Sequence, residues 1–221
     1  MKVKILAALA GIGLLIHQYM IWFYAPIAQS GPVQKIFYLH LPCSWWALIS
    51  FFVVFVSSIL FLFGRKDVFD RVAGAAAELG MLFATLALVT GSVWARAEWG
   101  HWWLWDPKLT TALIMWYVYA GYLVLRSTPM GRDRKALVCA VLGIVAFLDV
   151  PLVFFSAKLW GSAHPDGLAR KGSGMELSMW KTVFAGLIAF GFVWGAMLLT
   201  RVKQLGLLAR LEAMLVWDDQ E

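Results

Sequence analysis

The sequence predicts an all-α, polytopic membrane protein with six transmembrane helices. Three observations carry the prediction. Of 221 residues, 62% are hydrophobic and only 14% are charged, far below the roughly 25% charged content of a soluble domain. Six apolar stretches are long enough to cross a hydrocarbon core of about 30 Å. The basic residues gather in alternate connections between those stretches, as the positive-inside rule requires.

The six spans run over 5–23, 45–63, 79–94, 110–125, 136–155 and 180–200. The first begins Met1-Lys2-Val3-Lys4 and resembles a secretory signal, but no small-residue cleavage site precedes its exit at Tyr24-Ala25-Pro26, so it reads as a retained helix. With six spans both termini share one side. That side carries 12 of the 19 basic residues: Lys2, Lys4, Arg65, Lys66, Arg71, Arg126, Arg132, Arg134, Lys135, Arg201, Lys203 and Arg210. The other side holds Lys35, Arg96, Lys108, Lys158, Arg170, Lys171 and Lys181. Both termini are therefore expected in the cytoplasm, with short extracytoplasmic loops. The net charge of +6 is then topological rather than a nucleic-acid footprint.

Residues 1–200 read as one membrane domain, and 201–221 as a cytoplasmic amphipathic tail. In the tail, Leu207, Leu208, Leu211, Met214 and Leu215 form a helical stripe before an acidic end at Asp218, Asp219 and Glu221. It reads as an interfacial helix on the inner leaflet, or as a docking surface for transporter subunits. Cys43 and Cys139 fall at opposite ends of their spans, too far apart for a disulfide, and no Cys-x-x-Cys-His haem attachment site, phosphate loop or nucleotide-binding glycine pattern is present.

The polar chemistry converges on the first, third and fifth connections, which lie on one face. The first carries His40 in Phe37-Tyr38-Leu39-His40-Leu41-Pro42, with Pro42 suited to a first helical turn. The third is Trp99-Gly100-His101-Trp102-Trp103-Leu104-Trp105-Asp106-Pro107-Lys108-Leu109-Thr110, with four tryptophans in seven residues. The fifth carries His164 among turn formers in Trp160-Gly161-Ser162-Ala163-His164-Pro165-Asp166-Gly167.

Two histidines and an aromatic shelf on one membrane face point to a large, planar, apolar, metal-bearing ligand, and haem fits. Neutral imidazoles are common axial ligands, and indoles offer stacking area and an N–H for polar edges. Arg96 and Lys108 are placed to pair with the propionates. Asp106 either holds Lys108 or orients an indole or backbone N–H.

Plainer readings stand beside these. Tryptophan anchors membrane interfaces, so Trp94, Trp116, Trp160, Trp180 and Trp194 read as belt or packing residues. A single loop histidine is ordinarily a solvated surface residue. His101 is expected to point off the shelf and His17, the one histidine inside a span, to bond within the bundle. Asp149 is an intramembrane acid and a functional suspect. The neighbouring Pro151 equally supports a local structural role, because it frees the Phe147 carbonyl.

Residues 99–110 resemble the "WWD" signature, W-G-x-W-W-x-W-D-x-R/K-x-T, of the haem-handling proteins of cytochrome c biogenesis. Within that group the His40 element looks like the Tyr-Ile-His-Val-Pro element of the CcmC family, the haem exporter C proteins. The stretch from Pro151-Leu152-Val153-Phe154-Phe155-Ser156 through His164 looks like the family's second histidine element. The resemblance covers essentially the whole chain.

There are departures. Asp106-Pro107-Lys108 reads more like the larger CcsA-type synthetases, a usual tryptophan pair is reduced to Leu159-Trp160, and His164 is followed by Pro165.

The resemblance implies a protein of the bacterial inner membrane that holds haem b on its periplasmic side and presents it to the haem chaperone CcmE. His40 and His164 would be the axial ligands of the iron. Trp99, Trp102, Trp103, Trp105 and Asp106 would make the haem and chaperone contact, with Arg96 and Lys108 beside them. The ATP-driven pair CcmA and CcmB, the small membrane protein CcmD and the lipid bilayer are the other implied partners. No nucleic acid and no catalytic residue are implied. A b-type cytochrome would place its paired histidines inside its helices, and a permease subunit with decorative aromatic loops would bind no haem.

Overall fold

A computed structural model describes residues 1–27, 31–162, 164 and 175–218, with side chains through Leu215. Arg170, Lys171, Pro165, Asp166, Gly167, Asp219 and Glu221 of the sequence reading lie outside the described residues. Every regular element among the described residues is helical: α1 (Lys2–Tyr19), α2 (Phe37–Gly64), α3 (Asp67–Trp99), α4 (Pro107–Ser127), α5 (Arg132–Ala146), α6 (Asp149–Trp160) and α7 (Leu177–Asp218). They supply six candidate spans, α5 and α6 together forming the fifth.

Local chemistry sets the ends. The last turn of α1 widens into a π turn, Met20–Tyr24, closed by the Ala25 N–H on the Met20 carbonyl at 2.8 Å. Ala25 then turns extended (φ −74°, ψ 128°), the conformation that a following proline favours. A 3-10 turn, Pro32–Ile36, leads into α2. Lys35 ties the two segments together: its ammonium donates to the Trp22 carbonyl at 3.2 Å and stands 4.9 Å from the centre of the Trp22 ring.

Helix α3 begins with Asp67 and Asp70 in its first turn, where carboxylates complement the helix dipole. It ends at Gly100, whose φ of 77° suits glycine. The fifth span breaks after Ala146, and the Phe147 carbonyl, which Pro151 cannot engage, accepts the Val150 N–H at 3.0 Å. The structural role of Pro151 is thus realised. One carboxylate oxygen of Asp149, at the break, is buried without a partner among the described residues.

Lipid tails are as apolar as leucine, so helix association in a bilayer depends on close packing of small residues and on polar links. Here α3 supplies Ala73, Ala76, Ala77, Ala84 and Ala87 against Phe51 and Val54 of α2 and Tyr119 and Tyr122 of α4. At the end remote from His40, three ion pairs fasten α3. Arg126 grips Asp70 with two bonds of 2.8 and 2.7 Å, Arg201 grips Glu78 at 2.5 and 2.8 Å, and Arg132 meets Asp67 at 2.5 Å. The Arg126 guanidinium lies over Gly74, where a Cβ would stand 2.5 Å from Nε.

Helix α7 runs unbroken from Leu177 to Asp218, so the stripe that begins at Leu207 continues the last span as helix. One expectation changes. His17 is 1% exposed and packs rather than bonds: its Nε2 has no partner among the described residues, its ring meets Phe190 edge-on at 6.1 Å, and Gly186 leaves the space it fills.

Candidate functional site

His40 stands one turn into α2, with Pro42 already in the second turn and not the first as the sequence implied. Its ring is half-buried against one face of α3. Nδ1 is 3.0 Å from the Ala87 carbonyl oxygen and 3.2 Å from the Thr90 hydroxyl. A carbonyl only accepts, so Nδ1 carries the proton and donates, and Nε2 keeps its lone pair. Ser44 stands 3.5 Å from that nitrogen, but its hydroxyl has the shorter partner in the His40 carbonyl at 2.9 Å. Gly91 leaves room for the ring: a Cβ there would be 3.0 Å from Cε1. Trp94 closes the cradle edge-on, 6.3 Å between ring centres. Ala87, Thr90, Gly91 and Trp94 follow the i, i+3, i+4, i+7 spacing of a single helix face.

His164 follows α6 and lies beside His40. The two ring centres are 6.3 Å apart, with the planes inclined at 42°. Gly161, with φ 75°, turns the chain out of α6. Ser162 then donates to Asp106 Oδ2 at 2.7 Å and accepts the His164 backbone N–H at 3.0 Å. Asp106 is also the N-cap of α4, its Oδ1 accepting the Leu109 N–H at 2.9 Å, with Pro107 at the first helical position. Of the roles weighed for Asp106, orienting a backbone N–H is therefore observed. Lys108 is near enough to His40 for its ammonium to act on the imidazole electrostatically.

The tryptophan segment is two-sided rather than a uniform flat shelf. Trp99 closes α3, about 18 Å along the helix axis from Ala87 at about 1.5 Å per residue. Trp102 and Trp105 are 60% and 77% exposed. Trp103 turns inward, meets Trp105 edge-on at 5.9 Å, and buries an indole N–H without a partner among the described residues. The indole N–H of Trp94 is in the same condition. Arg96 donates to the Gly100 carbonyl at the tip of α3, and His101 is exposed as expected.

Sequence reasoning missed the supporting residues. Trp94 packs, as one of its two readings had it, but against His40 and Phe37, a placement the sequence reading did not reach. Its signal was the four-residue spacing from Thr90, a polar residue in an apolar run. Ser44, Gly91 and Ser162 gave no comparable signal.

Chemically, the arrangement brings two imidazoles side by side. Rings at this spacing are near enough that both could reach one metal at nitrogen bonds of about 2.0 Å. No group of three His, Cys, Asp or Glu that could hold a metal ion gathers among the described residues. The donor set therefore suits a metal that brings in-plane ligands of its own, as an iron porphyrin does.

The family model for Heme exporter protein C matches residues 1–216. A ccmC-like mitochondrial protein of cytochrome c biosynthesis from Marchantia polymorpha is 30% identical over 186 residues, 84% of this chain and 79% of that protein. Heme exporter protein C of Rhodobacter capsulatus is 31% identical over 195 residues, 83% of this chain and 78% of the relative. The Escherichia coli protein of the same name is 27% identical over 180 residues, 81% and 73% of the two chains. With the histidine pair, the capped tryptophan segment and a match over nearly its whole length, the chain belongs to the haem exporter protein C (CcmC) family.

Proposed function

We propose that this chain holds haem b between His40 and His164 on the extracytoplasmic face of the membrane and presents it to the periplasmic haem chaperone CcmE. Family membership gives the coarser frame: a multi-pass membrane protein of the Ccm system, with a role in haem handling for cytochrome c biogenesis. The observation that carries the finer reading is the 6.3 Å between two imidazoles from distant parts of the chain.

His40 offers Nε2 because the Ala87 carbonyl fixes its proton on Nδ1. The buried N–H groups of Trp94 and Trp103 and the cations of Lys108 and Arg96 supply donors for porphyrin carboxylates. Trp99 adds aromatic area at the tip of α3. The exposed Trp102 and Trp105 give the acceptor something to grip, as aromatic residues do at protein interfaces. The split of basic residues between the two ends supports the extracytoplasmic placement in the bacterial inner membrane. CcmA, CcmB and CcmD are the remaining partners in this reading.

The test is an absorption spectrum and pyridine haemochrome assay of the purified chain with His40→Ala and His164→Ala in turn, without added imidazole. Both variants are expected to lose haem while keeping their helix content. An undiminished haem complement with unchanged absorption in both would overturn the ligand assignment.

A further inference from the structure

The geometry points to Ser162 as the positioning residue for the His164 imidazole: its hydroxyl ties the loop that carries His164 to the Asp106 carboxylate at the N-terminus of α4. The inference rests on His164 being an axial ligand.

A serine hydroxyl has one proton and two lone pairs. Here the proton goes to Asp106 Oδ2 at 2.7 Å, while the oxygen receives the His164 N–H at 3.0 Å. Both bonds form at once, and neither excludes the other. The carboxylate makes the first a charge-assisted bond, of the short, strong kind. Asp106 is itself held, since Oδ1 caps α4 through the Leu109 N–H at 2.9 Å and Pro107 restricts the next φ.

One turn deeper, the Thr111 and Ser156 hydroxyls stand 3.4 Å apart, a packing contact between α4 and α6, while each donates to a carbonyl of its own helix. The His164 backbone is therefore referenced to α4 through two hydrogen bonds, much as the His40 ring is referenced to α3 through Ala87 and Thr90. Two ligands mounted on neighbouring helices hold a fixed gap, which an untethered loop after Gly161 would not. A short side chain that both donates and accepts is needed between a carboxylate and an amide two residues on, a need that threonine also meets and alanine does not.

The experiment compares Ser162→Ala, Ser162→Thr and His164→Ala in the full chain, purified in detergent and titrated with haem while the Soret and visible bands are followed. Ser162→Ala should weaken haem binding about 10-fold, the lower end for loss of a second-layer partner of a metal ligand. It should also move part of the iron from six-coordinate low-spin to five-coordinate high-spin, and free imidazole should restore the low-spin bands. Ser162→Thr should match the unsubstituted chain. Should Ser162→Ala not fold, Asp106→Asn keeps a helix cap but removes the charge that holds Ser162, and the same spin-state change is expected.

If His164→Ala loses the low-spin spectrum while Ser162→Ala, or Asp106→Asn in its place, keeps spectrum and affinity intact, the tether is wrong and the ligand assignment survives. If His164→Ala itself changes neither, the ligand assignment falls and the tether with it.

Discussion

Replacing Gly91 with alanine separates the fold from the site. The added methyl would stand 3.0 Å from His40 Cε1 and 3.4 Å from Nδ1, so the ring must yield. A retreat of about 0.3 Å would stretch the Nδ1–Ala87 bond, now 3.0 Å, past the normal upper range of about 3.2 Å. A neutral hydrogen bond contributes about 1 kcal/mol net, which corresponds to a roughly fivefold loss of haem affinity. Folding should move the other way or not at all, because alanine is better than glycine in a helix interior by roughly 0.8–1 kcal/mol. Haem titration of Gly91→Ala and Gly91→Val should therefore show a loss that thermal unfolding of Gly91→Ala does not, with the larger valine costing more affinity. Unchanged affinity in both variants would show that α3 does not set the His40 ring.

Three other outcomes are expected. A Trp102→Ala, Trp103→Ala double variant should fail to load the chaperone, measured as covalent haem on CcmE after co-expression. His17→Leu should leave haem content unchanged and unfold at the same temperature or higher. It removes a buried nitrogen without a described partner, a group whose burial costs about 1–3 kcal/mol. Arg126→Leu should lower stability by about 3 kcal/mol, because it strands Asp70 of a pair whose side chains are only 18% and 24% exposed. Denaturation in detergent should then place it well below Arg132→Leu, which loses only the exposed pair with Asp67.

The six spans were legible because membrane spanning demands long apolar runs, which composition displays directly. Their ends were less so. Helix α3 was expected over 79–94 and runs Asp67–Trp99. Asp70 and Glu78 interrupt the apolar run in sequence, but each has an arginine partner on another helix. The π turn before Ala25 and the break at Phe147 depend on where carbonyls find donors, which apolar periodicity does not encode.

At the site, the residue types announced themselves: His40, His164, the tryptophans and Asp106 are rare residues in distinctive company. The pairing of His40 with His164 was expected only from their shared face and the family resemblance. That Asp106 reaches Ser162 had no signal, because the contact follows from how α4 and α6 pack. Gly91 and Ser44 were invisible for a related reason, since small residues carry meaning only through what stands against them.

The unbroken course of α7 has a geometric consequence. Forty-two residues at about 1.5 Å each make a rod of about 63 Å, twice the hydrocarbon thickness of about 30 Å. Near its start, Met179 and Val183 pack with Tyr38, two residues from His40, and the helix is longer than one bilayer crossing needs. The residues that pack beside Tyr38 and the basic residues from Arg201 onward therefore belong to one continuous helix.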